Sequence, residues 1–155
     1  MRFLNAKLIL TAIALLATLA TQVVGQDLDK GYAAFNSKDY ATALKELKPI
    51  AEKGNRLVQY DVGYLYFNGL GVSEDRKEAF KWFKLAAEQG YWKAQINIGA
   101  LYMRGQGVAQ DNKKAFKWYK LAAEQENDVA QYVLADMYAK GFGVTQNFKE
   151  AVKWH

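Results

Sequence analysis

Apolar side chains recur along most of this chain at steps of three and four residues. Over 39–53, Tyr40, Ala43, Leu44, Leu47, Ile50 and Ala51 fall on one face, which is the period of an amphipathic helix. Gly54 follows at once, a residue that tolerates the left-handed turn past a helix end. A shorter stripe covers 29–36. Further stripes predict helices over 56–68, 91–104 and 128–140, and others starting from Asp75, Asp111 and Asn147. Those three are N-cap residues, whose side-chain oxygen accepts from an N–H left free in the first turn. Glu78 and Glu150, three places beyond Asp75 and Asn147, have the spacing of a capping box. Caps account for that spacing, which leaves little to a reading of Asp75 and Asp111 as paired catalytic acids or calcium ligands. Pro49 is the one proline, and its rarity favours uninterrupted helices. The chain is expected to be all-α.

The helices come in pairs, and the pairs repeat. Gly69-Leu70-Gly71-Val72, Gly105-Gln106-Gly107-Val108 and Gly141-Phe142-Gly143-Val144 lie 36 residues apart, and each leads into a run with alanine and tryptophan at fixed places. The first run reads Glu78-Ala79-Phe80-Lys81-Trp82-Phe83-Lys84-Leu85-Ala86-Ala87-Glu88-Gln89. A fixed period without insertions marks a stack of repeats rather than one closed core. Residues shared by all copies serve that architecture: Ala79, Ala115 and Ala151 let two helices approach, and Trp82, Trp118 and Trp154 read as large plugs. The glycines supply positive φ where one helix turns into the next, with Val72, Val108 and Val144 under the turn. A phosphate-binding reading of these loops fails, because no strand precedes them and no Gly-Lys-Ser/Thr closes them.

In the opening unit Gly31 to Ala43 is 12 residues, whereas Gly63 to Ala79 and Gly99 to Ala115 are 16. The first unit therefore lacks a four-residue extension and looks like a tetratricopeptide-type pair at the head of a longer-period array. The organisation expected is a leader over 1–25, a first helix pair over 27–54, full repeats over 55–90 and 91–126, and an incomplete repeat over 127–155.

The leader reading rests on Arg2 and Lys7 ahead of an uncharged run from Leu8 to Ala20, the basic and apolar regions of a secretory signal. Small residues allow cleavage after Ala20 or after Gly25, with the second preferred because charged, helix-forming sequence starts at Asp27. Retention as an anchor is the alternative, although the run is shorter than the about 20 residues a spanning helix needs. Without cysteine there is no disulfide framework, thiolate zinc site, cysteine nucleophile or lipoprotein attachment. Removing Arg2 and Lys7 lowers the net charge from +5 to +3, a mild value that makes no case for nucleic acid. These features predict an exported bacterial protein, periplasmic or secreted.

The pattern Leu-Tyr-x2-Gly-x-Gly-Val-x2-Asp-x3-Ala-x2-Trp-Tyr/Phe-x-Leu-Ala-Ala-Glu-Gln, with Gly63, Gly99 or Ala135 and Ala94 or Ala130, closely resembles the Sel-1-like repeat, a relative of the tetratricopeptide repeat. The resemblance covers roughly 38–155. It departs where Gly54 and Gly90 give way to Glu126, and where the last unit stops partway through its second helix. What it implies is a right-handed α-solenoid of antiparallel helix pairs acting as a non-enzymatic adaptor in bacterial envelope, signalling or host-contact assemblies. By analogy with tetratricopeptide repeats, the first helix of each pair lines a concave face. The columns there that differ between copies are Tyr60, Ile96 and Tyr132; Tyr64, Ala100 and Asp136; and Asn68, Arg104 and Lys140. Tyrosine and arginine are favoured at interaction hot spots, so this face suits an extended or helical peptide, or a protein, with acidic character.

Other readings are weaker. A lysine stripe made by Lys77, Lys81 and Lys84 and their copies is diluted by glutamates, which predicts a solvated face and no tight membrane binding. His155 is the one histidine, so Ser-His pairs and His-based metal sites are missing, and no cofactor is called for. Carboxylate chemistry would fall to Asp61, Asp136, Glu88 or Glu124. The resemblance extends to secreted cysteine-rich relatives credited with β-lactam hydrolysis, whose cysteines this chain lacks. A structural envelope component without a dedicated ligand is the remaining class. The incomplete last repeat is expected to leave Val133, Leu134 and Met137 poorly covered, a basis for self-association.

Overall fold

In the computed structural model, which describes residues 25–154, the helices start where polar side chains wait for them. After α1 (25–36) come α2 (Tyr40–Glu52), α3 (Arg56–Asn68), α4 (Arg76–Glu88), α5 (Trp92–Arg104), α6 (Asn112–Ala123), α7 (Asp128–Lys140) and α8 (Phe148–Lys153). Asp39, Asn55, Asp75, Asp111, Asn127 and Asn147 each accept from the first turn of the helix they precede, while Tyr91 before α5 does not. The first helix begins earlier than its expected start at Asp29, and the predicted leader lies outside the described residues except for Gly25.

The capping boxes close differently from the expectation. The Asp75 N–H donates to the Tyr66 carbonyl at 2.9 Å, and Asp111 and Asn147 repeat this on Tyr102 and Tyr138, also at 2.9 Å. Those tyrosines sit in the last turn of the preceding helix, where carbonyls lack partners. Glu78 is thereby released to accept from the Trp82 indole at 3.1 Å and to pair with Lys81 at 2.7 Å. Glu150 pairs with Lys153.

Helices pack chiefly on their neighbours in the chain, giving a stack of antiparallel pairs, an α-solenoid. Its cores are copies of one another. Trp82 joins Leu47, Ile50, Ala51, Val58 and Val62; Trp118 packs on Phe83, Ala86, Ala87, Ala94 and Ile98; Trp154 packs on Ala122, Ala123, Ala130 and Leu134. Each tryptophan thus fills the seam between its own pair and the pair before. Trp118 and Trp154 do so only partly buried. The deepest plugs are their neighbours, Phe83 and Tyr119, which are 1% and 5% exposed and lie over Gly63 and Gly99. A Cβ at either glycine would stand 2.8 Å from the ring above it.

Three further contacts lock pair to pair. Phe80 meets Tyr102 edge-on at 5.4 Å, and Phe116 meets Tyr138 at 5.2 Å. Gln59, Gln95 and Gln131 donate to the Ala51, Ala87 and Ala123 carbonyls, and Gln59 and Gln95 accept in turn from Gln89 and Gln125 at 2.7 and 2.8 Å. The third contact is backbone on backbone: Gly71, Gly107 and Gly143 lie against the first residues of α2, α4 and α6.

The coverage expected to be missing near the last repeat is present. Leu134 and Met137 are buried and Val133 partly so, because α6 and α8 close over α7. The exposed apolar residues are instead on α8 itself, where Phe148 is 66% and Val152 76% exposed. Val152 occupies the column in which Phe80 and Phe116 meet a tyrosine of the following helix.

Gly107 and Gly90 both have positive φ, at +73° and +81°, but a Cβ on Gly107 would stand 2.2 Å from the Arg76 carbonyl oxygen, whereas one on Gly90 meets nothing within 4 Å. Gly90→Ala is expected to cost about 1–2 kcal/mol, the left-handed penalty alone. Gly107→Ala adds an overlap of about 1–3 kcal/mol that only separating the pairs relieves. Urea unfolding of the two variants, each against wild type, measures the difference; equal losses would mean the glycine contact does not hold the stack.

Candidate partner-binding groove

Side chains of α3 and α5, with Phe83 of α4 between them, surround a hollow of about 230 Å³ at the seam of the two pairs. Four predicted site residues line it, Tyr60, Tyr64 and Asn68 from α3 and Arg104 from α5, together with Ala100 from the same variable columns. Phe67, Phe83 and Leu101 give it an apolar lining. Tyr60 stands against Phe83 at 5.4 Å and edge-on to Tyr91 at 5.1 Å. Burial raises its hydroxyl pKa, an effect that the nearby Asn97 partly offsets. Tyr64 is 40% exposed at the rim, and its carbonyl accepts from the Asn68 amide at 2.9 Å.

Arg104 is the one charged side chain around the hollow. Arg56 donates to the Gln89 carbonyl at 3.1 Å and Arg76 pairs with Glu74 at 2.6 Å, but among the described residues Arg104 has no carboxylate partner. It lies near enough to Tyr119 to oppose the rise that burial imposes on that hydroxyl.

The other four predicted residues are elsewhere. Ile96 is partly buried between two of the cores. Asp136 and Lys140 are held by each other at 2.8 Å, with the Lys140 ammonium 6.0 Å from the centre of the Phe142 ring. Tyr132 is exposed nearer the start of α7, beside a hollow of about 300 Å³ shared with Trp154 and one of about 100 Å³ that Asp136 and Ala151 also line. The sequence reading missed Asn97 and Gln106, which also line the hollow between α3 and α5. Their columns, Asp61, Asn97 and Val133 and Leu70, Gln106 and Phe142, vary as strongly as those selected, and that was the available signal.

The carboxylates considered for catalysis are all engaged. Glu88 and Glu124 pair with Lys84 and Lys120 at 3.5 and 3.8 Å, Asp136 with Lys140, and Asp61 accepts from the Tyr32 hydroxyl at 2.7 Å. Among the described residues no three His, Asp or Glu side chains gather in a group fit to hold a metal ion, and no helix is long and apolar enough to cross a membrane. The lysine stripe is exposed, with Lys81, Lys84, Lys120 and Lys153 in pairs with glutamates.

The family model described as Sel1 repeat matches residues 57–91, 92–127 and 128–155. A Sel1 repeat protein from Oxalobacter formigenes is 36% identical, with a TM-score of 0.77 over 82% of this chain and 52% of its own. A protective antigen of uropathogenic Escherichia coli strains, displaying an SLR fold, is 35% identical, with a TM-score of 0.81 over 87% of this chain and 30% of its own. The chain thus spans about half of the first relative and less than a third of the second. Cysteine-rich protein B of Helicobacter pylori, 22% identical with a TM-score of 0.58 over 74% of this chain and 84% of its own, shares the fold. No curated protein matches.

Asp61 is the carboxylate that burial perturbs. Desolvation raises its pKa, against the lowering influence of the Tyr32 hydrogen bond and of Lys93. A carboxyl with a raised folded pKa holds its proton more tightly when folded, so its ionisation costs stability above that pKa and nothing below the unfolded value of about 3.9. Asp61→Asn keeps an oxygen for the Tyr32 hydroxyl. It is expected to raise the melting temperature at pH 7 and to leave it unchanged near pH 3; an equal gain at both would show that charge burial is not the cause.

Proposed function

The chain belongs to the Sel1 repeat family, and from that premise we propose that it is a non-enzymatic scaffold holding a protein or peptide partner in the groove between its first helices. The observation that carries this reading is the gathering of Tyr60, Tyr64, Asn68 and Arg104 around one apolar hollow. All four stand on columns that differ between copies, and of them Tyr60 also packs against the core through Phe83 and Tyr91. Aromatic anchors beside a cation are the composition of binding hot spots. The leader-like sequence at 1–25 supports a site of action in the bacterial envelope or outside the cell.

The groove reading is tested by capture from the source cell with wild type, Tyr64→Ala plus Arg104→Ala, and Lys77→Ala plus Lys113→Ala on the opposite face. The groove variant is expected to lose its partner by at least about tenfold, and the lysine variant to retain it. Equal capture by all three would assign the chain a structural role.

A further inference from the structure

The groove's chemistry goes beyond the presence of a partner to its conformation and charge. Resting on the reading just given, we infer that the hollow between α3 and α5 takes an extended peptide segment, one apolar side chain in the pocket and one carboxylate on Arg104.

Three carboxamides line the hollow, Asn68, Asn97 and Gln106. Asn68 spends an N–H on the Tyr64 carbonyl and keeps its oxygen for a ligand, and Asn97 brings a second carboxamide oxygen to the same lining. Gln106 keeps both its amide and its oxygen, since its side chain has no hydrogen bond among the described residues. Acceptors of this kind need N–H donors. A helical partner has already used its backbone donors internally, apart from its first turn, whereas an extended segment leaves N–H and C=O groups free along its length.

Charge fixes the second requirement. No acidic side chain lines the hollow, and Arg104 is its sole cation. Tyr60, Phe67, Phe83 and Leu101 supply a lining in which a guanidinium–carboxylate pair is less screened than on an open surface. The other cation of the predicted face, Lys140, is already neutralised by Asp136.

The probe is a set of fluorescein-labelled Gly/Ser peptides carrying one Phe and one Asp, with the Asp walked along either side of the Phe, and a matching set with Asn for Asp. Anisotropy titration of the full chain is expected to find an Asp position that binds about tenfold more tightly than its Asn match, the margin of a charge-assisted over a neutral hydrogen bond. Arg104→Gln should erase that margin, and Asn97→Ala should weaken both peptides alike. Melting temperatures of the variants equal to wild type exclude unfolding as the cause.

No binding by any peptide up to about 1 mM, a margin that survives Arg104→Gln, or a helical bound peptide by NMR would overturn the inference. If the peptides fail while the groove variant still loses its partner in the capture experiment, the groove reading stands and the extended, acidic ligand falls. If capture is also indifferent, both fall.

Discussion

No helix pair in this chain can cover its own apolar side, and that deficit organises everything else. The second helix of one pair and the first of the next bury a shared seam, with a tryptophan wedged into it, and the same set of positions recurs at Trp82, Trp118 and Trp154. Burial of this kind is non-directional and would tolerate sliding. The directional contacts remove the freedom to slide. The glutamine ladder ties each first helix to the end of the preceding second helix, and Gly71, Gly107 and Gly143 admit backbone contact at the other end of the pair. Pinned at both ends, successive pairs are held against sliding.

Much of that framework was legible in the sequence because it depends on local chemistry. Caps at Asp75, Asp111 and Asn147 and left-handed glycines at Gly69, Gly105 and Gly141 follow from what a helix end lacks, whatever surrounds it. What escaped the reading was decided by distant partners. The column at Gln59, Gln95 and Gln131 was as constant as the tryptophan column, yet nothing local distinguishes a buried glutamine from an exposed one. Glu78 has capping-box spacing, but the Tyr66 carbonyl takes the N–H it was expected to serve. The plugs likewise fell to Phe83 and Tyr119, because only packing reveals that Gly63 and Gly99 sit beneath those rings.

The candidate site divided along the same line. Column variability found Tyr60, Tyr64, Asn68 and Arg104, since it reports freedom from the architecture. It could not report which free residues meet. Ile96 shares the column of Tyr60 and Tyr132 but is apolar along its whole length, and it packs between cores instead of facing the hollow.

The 36-residue period carries each lining position of the seam between α3 and α5 to a counterpart between α5 and α7, where the side chains differ. Moving the first seam's polar residues along by one repeat replaces Asn68 with Arg104, Asn97 with Val133 and Gln106 with Phe142, so none of the three carboxamides survives. Ala100 becomes Asp136, and its carboxylate engages Lys140, the counterpart of Arg104. One substitution thus neutralises the cation that stands in the column of Arg104. The architecture fixes the columns, and the variable ones decide that three carboxamides gather between α3 and α5 while none of their counterparts between α5 and α7 is a carboxamide.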